Sequence, residues 1–162
     1  MRLFIAIRLH NEMIHELQKI QQQMIRQGAC GSFTPEENLH LTLAFIGEYP
    51  DPDPILDILD SVPVKPFALS LDGIGNFGDL WWAGIQRSDA LVSYVKSLRH
   101  SLADACIPFD RKKFSPHITL VRRARFILPP KIRVPSVTMV AKHASLFRSD
   151  RGKNGMIYTE IG

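Results

Sequence analysis

A chain of 162 residues, 45% of them hydrophobic, can bury one substantial core and is too short for two independent ones. Its formal charge of +4 is unevenly spread, because residues 1–60 hold four Lys/Arg against nine Asp/Glu while residues 111–149 hold ten Lys/Arg and no acid. The two cysteines, Cys30 and Cys106, have neither CxxC nor Cys/His ligand spacing, which leaves a disulfide framework or zinc site without support and makes reduced packing thiols the expectation.

In chain order, "RLFIAI" is short, apolar and rich in β-compatible residues, as in a buried strand. Asn11 then reads as an N-cap, and Ile14, Leu17, Ile20, Met24 and Ile25 recur at helical spacing until Gly28. "LHLTLAFIGE" alternates as a second strand and is closed by Gly47 and by Pro50, Pro52 and Pro54, after which "PILDILDSV" can form a short helix. "FALSLDGIG" and "LWWAGIQ" flank the turn-prone "NFGD" and predict a hairpin. Asp89 is the expected cap of a helix with Leu91, Val95, Leu98 and Leu102 on one stripe, and His100 falls off that stripe onto the surface. "HITLV", "VTMVA", "ASLFRS" and "MIYTEI" finish the chain as strands.

This order lacks the regular βαβα alternation of a doubly wound sheet, and hairpins imply antiparallel pairing. The expected class is α+β, a single bilobal domain over 1–162 with a degenerate internal duplication. The opening "MRLFIAIRLH" is too short for a signal h-region, and no run of about 18 apolar residues occurs. A soluble cytoplasmic protein, monomeric and not membrane-bound, is therefore expected.

One phrase is spelled twice. "HLTL" at 40–43 returns 77 positions later as "HITL" at 117–120. On a strand, residues two apart share a face, so His40 with Thr42, and His117 with Thr119, form a polar face opposite a packing face. A histidine on a strand is usually structural, and one such phrase is a weak signal. Two copies, each following a long amphipathic helix, suggest two lobes whose polar faces converge on one cleft. Such a set suits in-line displacement at phosphorus: one imidazole takes a proton from water, another gives one to the leaving oxygen, and the hydroxyls hold non-bridging oxygens. A dinuclear metal site would ask for several carboxylates near the histidines, and the only acids close to either phrase are Glu36, Glu37, Glu48 and Asp110. The basic stretch around the second phrase favours an anionic ligand, phosphate first and nucleic acid as its carrier.

"HLTLAFIGE" with "HITLVR", the opening "RLFIAI" and the ending "LFRS" followed by Tyr158 resemble the two-histidine phosphoesterases, in particular the LigT-like RNA 2',3'-cyclic phosphodiesterases once described as 2'-5' RNA ligases. The resemblance covers essentially the whole chain. It implies an antiparallel sheet in each lobe, helices outside, the active cleft between lobes, no cofactor or metal, and a 2',3'-cyclic phosphate at an RNA end opened to a 2'-phosphomonoester. It makes His40 the proton donor to the departing 3' oxygen and His117 the proton acceptor from water. Thr42 and Thr119 match phosphate-binding threonines, and Arg122 matches an arginine that contacts phosphate. Strict alternation instead puts Arg122 on the packing face and Arg123 on the cleft face. A bulge or strand end near Val121 would reconcile the two. Phe45, Phe77, Trp81, Trp82 and Phe114 are candidates to stack on a base, with core packing the commoner fate of each. Trp81 and Trp82 must face opposite ways. The partner expected is RNA with a 2',3'-cyclic phosphate end or a related cyclic nucleotide. The alternatives are a sister enzyme acting on another cyclic phosphate or a 2'-5' linkage, and a non-catalytic RNA-end binding module.

Overall fold

The structure is a computed structural model and describes residues 1–162. β1 (Arg2–Arg8) is followed by α1 (Asn11–Arg26), β2 (Cys30–Phe33), a 3-10 turn at Glu36–Asn38 and β3 (His40–Glu48). Then come α2 (Asp53–Ser61), the hairpin of β4 (Phe67–Phe77) and β5 (Leu80–Ile85), and α3 (Asp89–Asp104). The chain closes with β6 (His117–Arg125), β7 (Thr138–Ala141), β8 (Ser145–Gly152) and β9 (Gly155–Glu160).

The strands form two sheets, every pairing antiparallel: sheet I in the order β3-β1-β8-β9, sheet II in the order β2-β6-β5-β4-β7. The α+β expectation holds, with one antiparallel sheet for each histidine phrase. β1 is central in sheet I and carries five consecutive buried residues. One cluster of 34 buried side chains spans both sheets and the helices. The helices are exchanged between the halves: α1 follows a strand of sheet I but lies against β6 of sheet II, and α3 follows a strand of sheet II but lies against β3 of sheet I. α2 covers α3 and β8. No helix is long and apolar enough to cross a membrane.

Several local expectations change. The N-cap of α1 is His10, not Asn11, and it makes no side-chain cap bond. Ser88 rather than Asp89 caps α3, its Oγ accepting from the Leu91 N–H at 3.1 Å. Asp89 sits instead in the first turn, where a carboxylate favours the positive end of the helix dipole. Ile25 ends up exposed, while Met13 and Gln21 join Leu17, Ile20 and Met24 on the buried face of α1. The edge strand β2, "CGSF", is an addition to the expected elements, because four mostly small or polar residues carry no alternating pattern. Cys30 and Cys106 are free but exposed, so neither is a packing thiol.

Candidate functional site: two histidine strands that meet

β3 and β6 touch across the two sheets, which brings the repeated phrases together. At the start of each strand the histidine ring is anchored the same way. His40 Nδ1–H donates to the Asn38 carbonyl at 2.6 Å, and His117 Nδ1–H to the Ser115 carbonyl at 2.7 Å. A carbonyl can only accept, so this bond commits the proton to Nδ1 and leaves Nε2 as the atom that exchanges protons. These carbonyl anchors were invisible in the sequence, since every residue type offers the same acceptor.

The surroundings of the two rings differ. His40 stacks on Phe4 at 4.9 Å between centroids and meets Tyr158 edge-on at 5.2 Å, with Phe147 behind Phe4. These aromatics form a small second cluster apart from the main core. The Thr42 hydroxyl completes the environment, lying 2.8 Å from His40 Nε2. His117 is bordered by Phe77, edge-on at 5.3 Å, and by Trp82 at 6.2 Å. Trp82 pairs directly with Thr119 across β5 and β6, so it shares the face of the second phrase. Its indole Nε1–H is buried without a hydrogen-bond partner.

Trp81 faces the other way, against Phe126 and the main core, as adjacent strand positions must. Phe114 also packs on the core. Phe45 and Phe77, by contrast, are 49% and 50% exposed, so core packing is not their role. Beside His40 lies a cavity of about 200 Å³ lined by Arg8, Glu36, Glu37, Phe147 and Tyr158 among others. Glu48 is turned away and pairs with the chain's amino terminus. No group of three or more His, Cys, Asp and Glu gathers in metal-binding proximity.

The arginine question is decided by bulges. In β6 the register against β5 runs from Trp82↔Thr119 to Trp81↔Val121, leaving Leu120 as an extra residue. Leu120 and Val121 are consequently both buried, and the alternation restarts with Arg122 on the cleft side. Its guanidinium is close enough to act on His40. A second irregularity, against β2, falls between Arg122 and Arg125; Arg123 there adopts φ 53° and turns outward to Ser32, its Nη2 donating to Oγ at 3.1 Å. β3 repeats the device, with Leu43 as the extra residue between Ile5↔Ala44 and Ala6↔Thr42. Phe45 takes the position that matches Arg122.

The His40 pKa is lowered to about 4, chiefly by burial and also by the positive charges of Arg122 and His117, with the bond to Asn38 opposing them. His40 is therefore neutral at pH 7.

The family profile described as LigT like Phosphoesterase matches residues 7–80, which include the first phrase. The RNA 2',3'-cyclic phosphodiesterase of Escherichia coli K12 is 33% identical over 166 residues, covering 93% of this chain and 90% of the relative. The chain belongs to the LigT-like phosphoesterase family. The protein of the same name from Methanocaldococcus jannaschii is 30% identical over 99% of this chain and 98% of its own length. Among solved structures, E. coli LigT complexed with 3'-AMP superposes with TM-score 0.86 at 25% identity, covering 99% of this chain and 95% of that one. TT0787 of Thermus thermophilus superposes with TM-score 0.82 at 28% identity over the whole of this chain and 96% of that one.

Proposed function

We propose that this LigT-like phosphoesterase hydrolyses 2',3'-cyclic phosphate ends of RNA to 2'-phosphomonoesters, with the two histidines as its acid–base pair and no metal ion in the reaction. The observation that carries the reading is the matched anchoring of His40 and His117 by carbonyls two residues upstream, on strands that meet across the sheets. It leaves both Nε2 atoms to exchange protons, that of His40 beside the Thr42 hydroxyl. Relatives covering nearly the whole chain, named for this activity, support it.

In this reading His117 Nε2 takes a proton from the attacking water, and His40 Nε2–H gives one to the departing 3' oxygen. Thr42 and Thr119 donate to the non-bridging oxygens, where negative charge grows, and Arg122 holds the phosphate. The neutral state of His40 is compatible with an acid role, because the substrate's anionic phosphate offsets the Arg122 field and favours a protonated imidazole beside it. The proton is then taken up from solvent as the anionic substrate binds.

The low pKa of His40 also favours a second reading, in which His40 is the base, His117 the acid and the product a 3'-phosphate. The position of the product phosphate separates the two. A short RNA ending in a 2',3'-cyclic phosphate, incubated with the protein in the presence of a chelator and examined by phosphorus NMR, is expected to yield a homogeneous 2'-phosphate. A homogeneous 3'-phosphate exchanges the roles. Tight, salt-sensitive RNA binding without turnover of any cyclic phosphate would leave a binding module, and turnover confined to a different cyclic phosphate or a 2'-5' linkage would mark a sister enzyme.

A further inference from the structure

A bulge leaves a backbone carbonyl outside the ladder, and a buried carbonyl needs a donor. The carbonyls of the two bulges that follow the histidine phrases receive side-chain donors in the same way, that of Leu120 in addition to the Thr34 N–H at 2.9 Å. α1 and α3 are each sixteen residues long, and the eleventh residue of each, Gln21 and Arg99, reaches the bulge of the strand it backs. Gln21 Nε2 donates to the Leu120 carbonyl at 3.0 Å. Arg99 donates to the Leu43 carbonyl through Nη2 at 3.1 Å and Nε at 3.4 Å.

Each side chain also holds a second carbonyl, in the segment that leads into the other phrase. Gln21 donates to Thr34, ahead of His40, at 2.9 Å, and Arg99 Nη1 donates to Lys112, ahead of His117, at 2.7 Å. Gln21 thus joins the bulge of β6 to the approach to β3, while Arg99 joins the bulge of β3 to the approach to β6. Neither residue is explained by its helix alone. Gln21 is only 7% exposed on a face otherwise formed by Met13, Leu17, Ile20 and Met24, where an amide is costly unless bonded. Arg99 is held between the rings of Phe109 and Phe114, at 5.8 and 5.6 Å.

We propose that Gln21 and Arg99 are positioning residues, a reciprocal pair of braces that set the spacing of the two histidine phrases and keep Arg122 turned to the phosphate. Without the extra residue at Leu120, alternation returns Arg122 to the packing face. The proposal rests on the functional reading for what the site binds, so its test uses a binding probe as well as turnover.

Inorganic phosphate is titrated into the folded wild type, Gln21→Met, Arg122→Ala and the double variant, with histidine ring NMR shifts giving affinity, circular dichroism confirming the fold, and kcat and KM measured on a 2',3'-cyclic nucleotide. Gln21→Met is expected to weaken phosphate binding about tenfold and raise KM comparably, yet to change affinity less than about twofold once Arg122 is already alanine. Arg99→Met is expected to lower kcat about tenfold by shifting both histidines, with Arg99→Lys in between. If Gln21→Met does not fold, Gln21→Asn, which shortens the reach by one methylene, takes its place in the cycle. Equal losses in both backgrounds, or phosphate binding indifferent to Gln21, would overturn the proposal. A wild type inert towards cyclic phosphates but showing the phosphate cycle as expected would sink the functional reading and leave the braces standing.

Discussion

The strands β3 and β6 share a backbone plan and differ in what surrounds it. Both begin with a histidine anchored through Nδ1, continue with a threonine on the same face, and insert an extra leucine immediately afterwards. Both receive a side-chain donor at that leucine from a helix encoded in the other half of the chain. Around β3, however, aromatic rings enclose the imidazole and the position after the bulge is Phe45. Around β6 that position is Arg122, and the ring is bordered by a half-exposed Phe77. The two strands share the backbone devices that aim the groups, while their side chains differ. An acid and a base need the same aim but different environments, and a strictly symmetric site would give two identical imidazoles.

The comparison breaks most sharply if either histidine proves dispensable. His40→Ala and His117→Ala are each expected to lower the rate by about 10² to 10⁴ with little change in circular dichroism, and the double variant to be far less than multiplicatively worse. Steady-state kinetics on a cyclic nucleotide checks this. Retained activity in one folded variant would remove that histidine and the symmetry of roles with it.

The enclosed environment of His40 has its own signature in stability. The unfolded chain binds a proton at this residue below its ordinary value of 6.5, whereas the folded chain refuses it until about 4. Above pH 6.5 both states are neutral there and the residue adds no pH dependence; as pH falls from 6.5 to 4 the fold loses up to roughly 3 kcal/mol. His40→Asn should remove that slope in denaturant titrations run across the window, and His117→Asn, which retains His40, should keep it. An unchanged slope in His40→Asn would mean that the aromatic enclosure does not desolvate the ring.

The threonines sharpen the comparison at smaller scale. Thr42→Val and Thr119→Val should each slow turnover by about one to two powers of ten if a charge-assisted hydrogen bond of ~1.5 to 3 kcal/mol is lost in the transition state, without moving the product phosphate. Thr42→Val should be the more damaging, because its hydroxyl is also the partner of His40 Nε2. Equal effects would place the threonines' role wholly on the phosphate. The smallest effect concerns the basic half of the chain: raising salt should increase KM for a longer RNA and leave a cyclic mononucleotide nearly indifferent. Equal salt dependence for both would confine the electrostatic contribution to the phosphate site.

Much of this architecture is local and therefore legible from residue order. The apolar run of β1, the stripe of α3, the Gly78 turn between β4 and β5, and the shared face of each His and Thr all follow from periodicity within a few residues. So does the opposition of Trp81 and Trp82. The sequence by itself determined the α+β class, both histidine phrases and, through their context, the family. Tertiary structure alone decided the rest. Alternation predicts a side chain's face only until a bulge resets it, and the extra residue at Leu120, which receives Gln21 from a distant helix, returns Arg122 and not Arg123 to the face of the second phrase. The exchange of α1 and α3 between sheets leaves no mark in either helix, since an amphipathic stripe says that a face is buried but not against which partner. The lowered pKa of His40 likewise comes from burial beside Phe4, Phe147 and Tyr158, brought to it from three other strands; desolvation is a property of everything within a few ångströms, and sequence neighbours are only a small part of that.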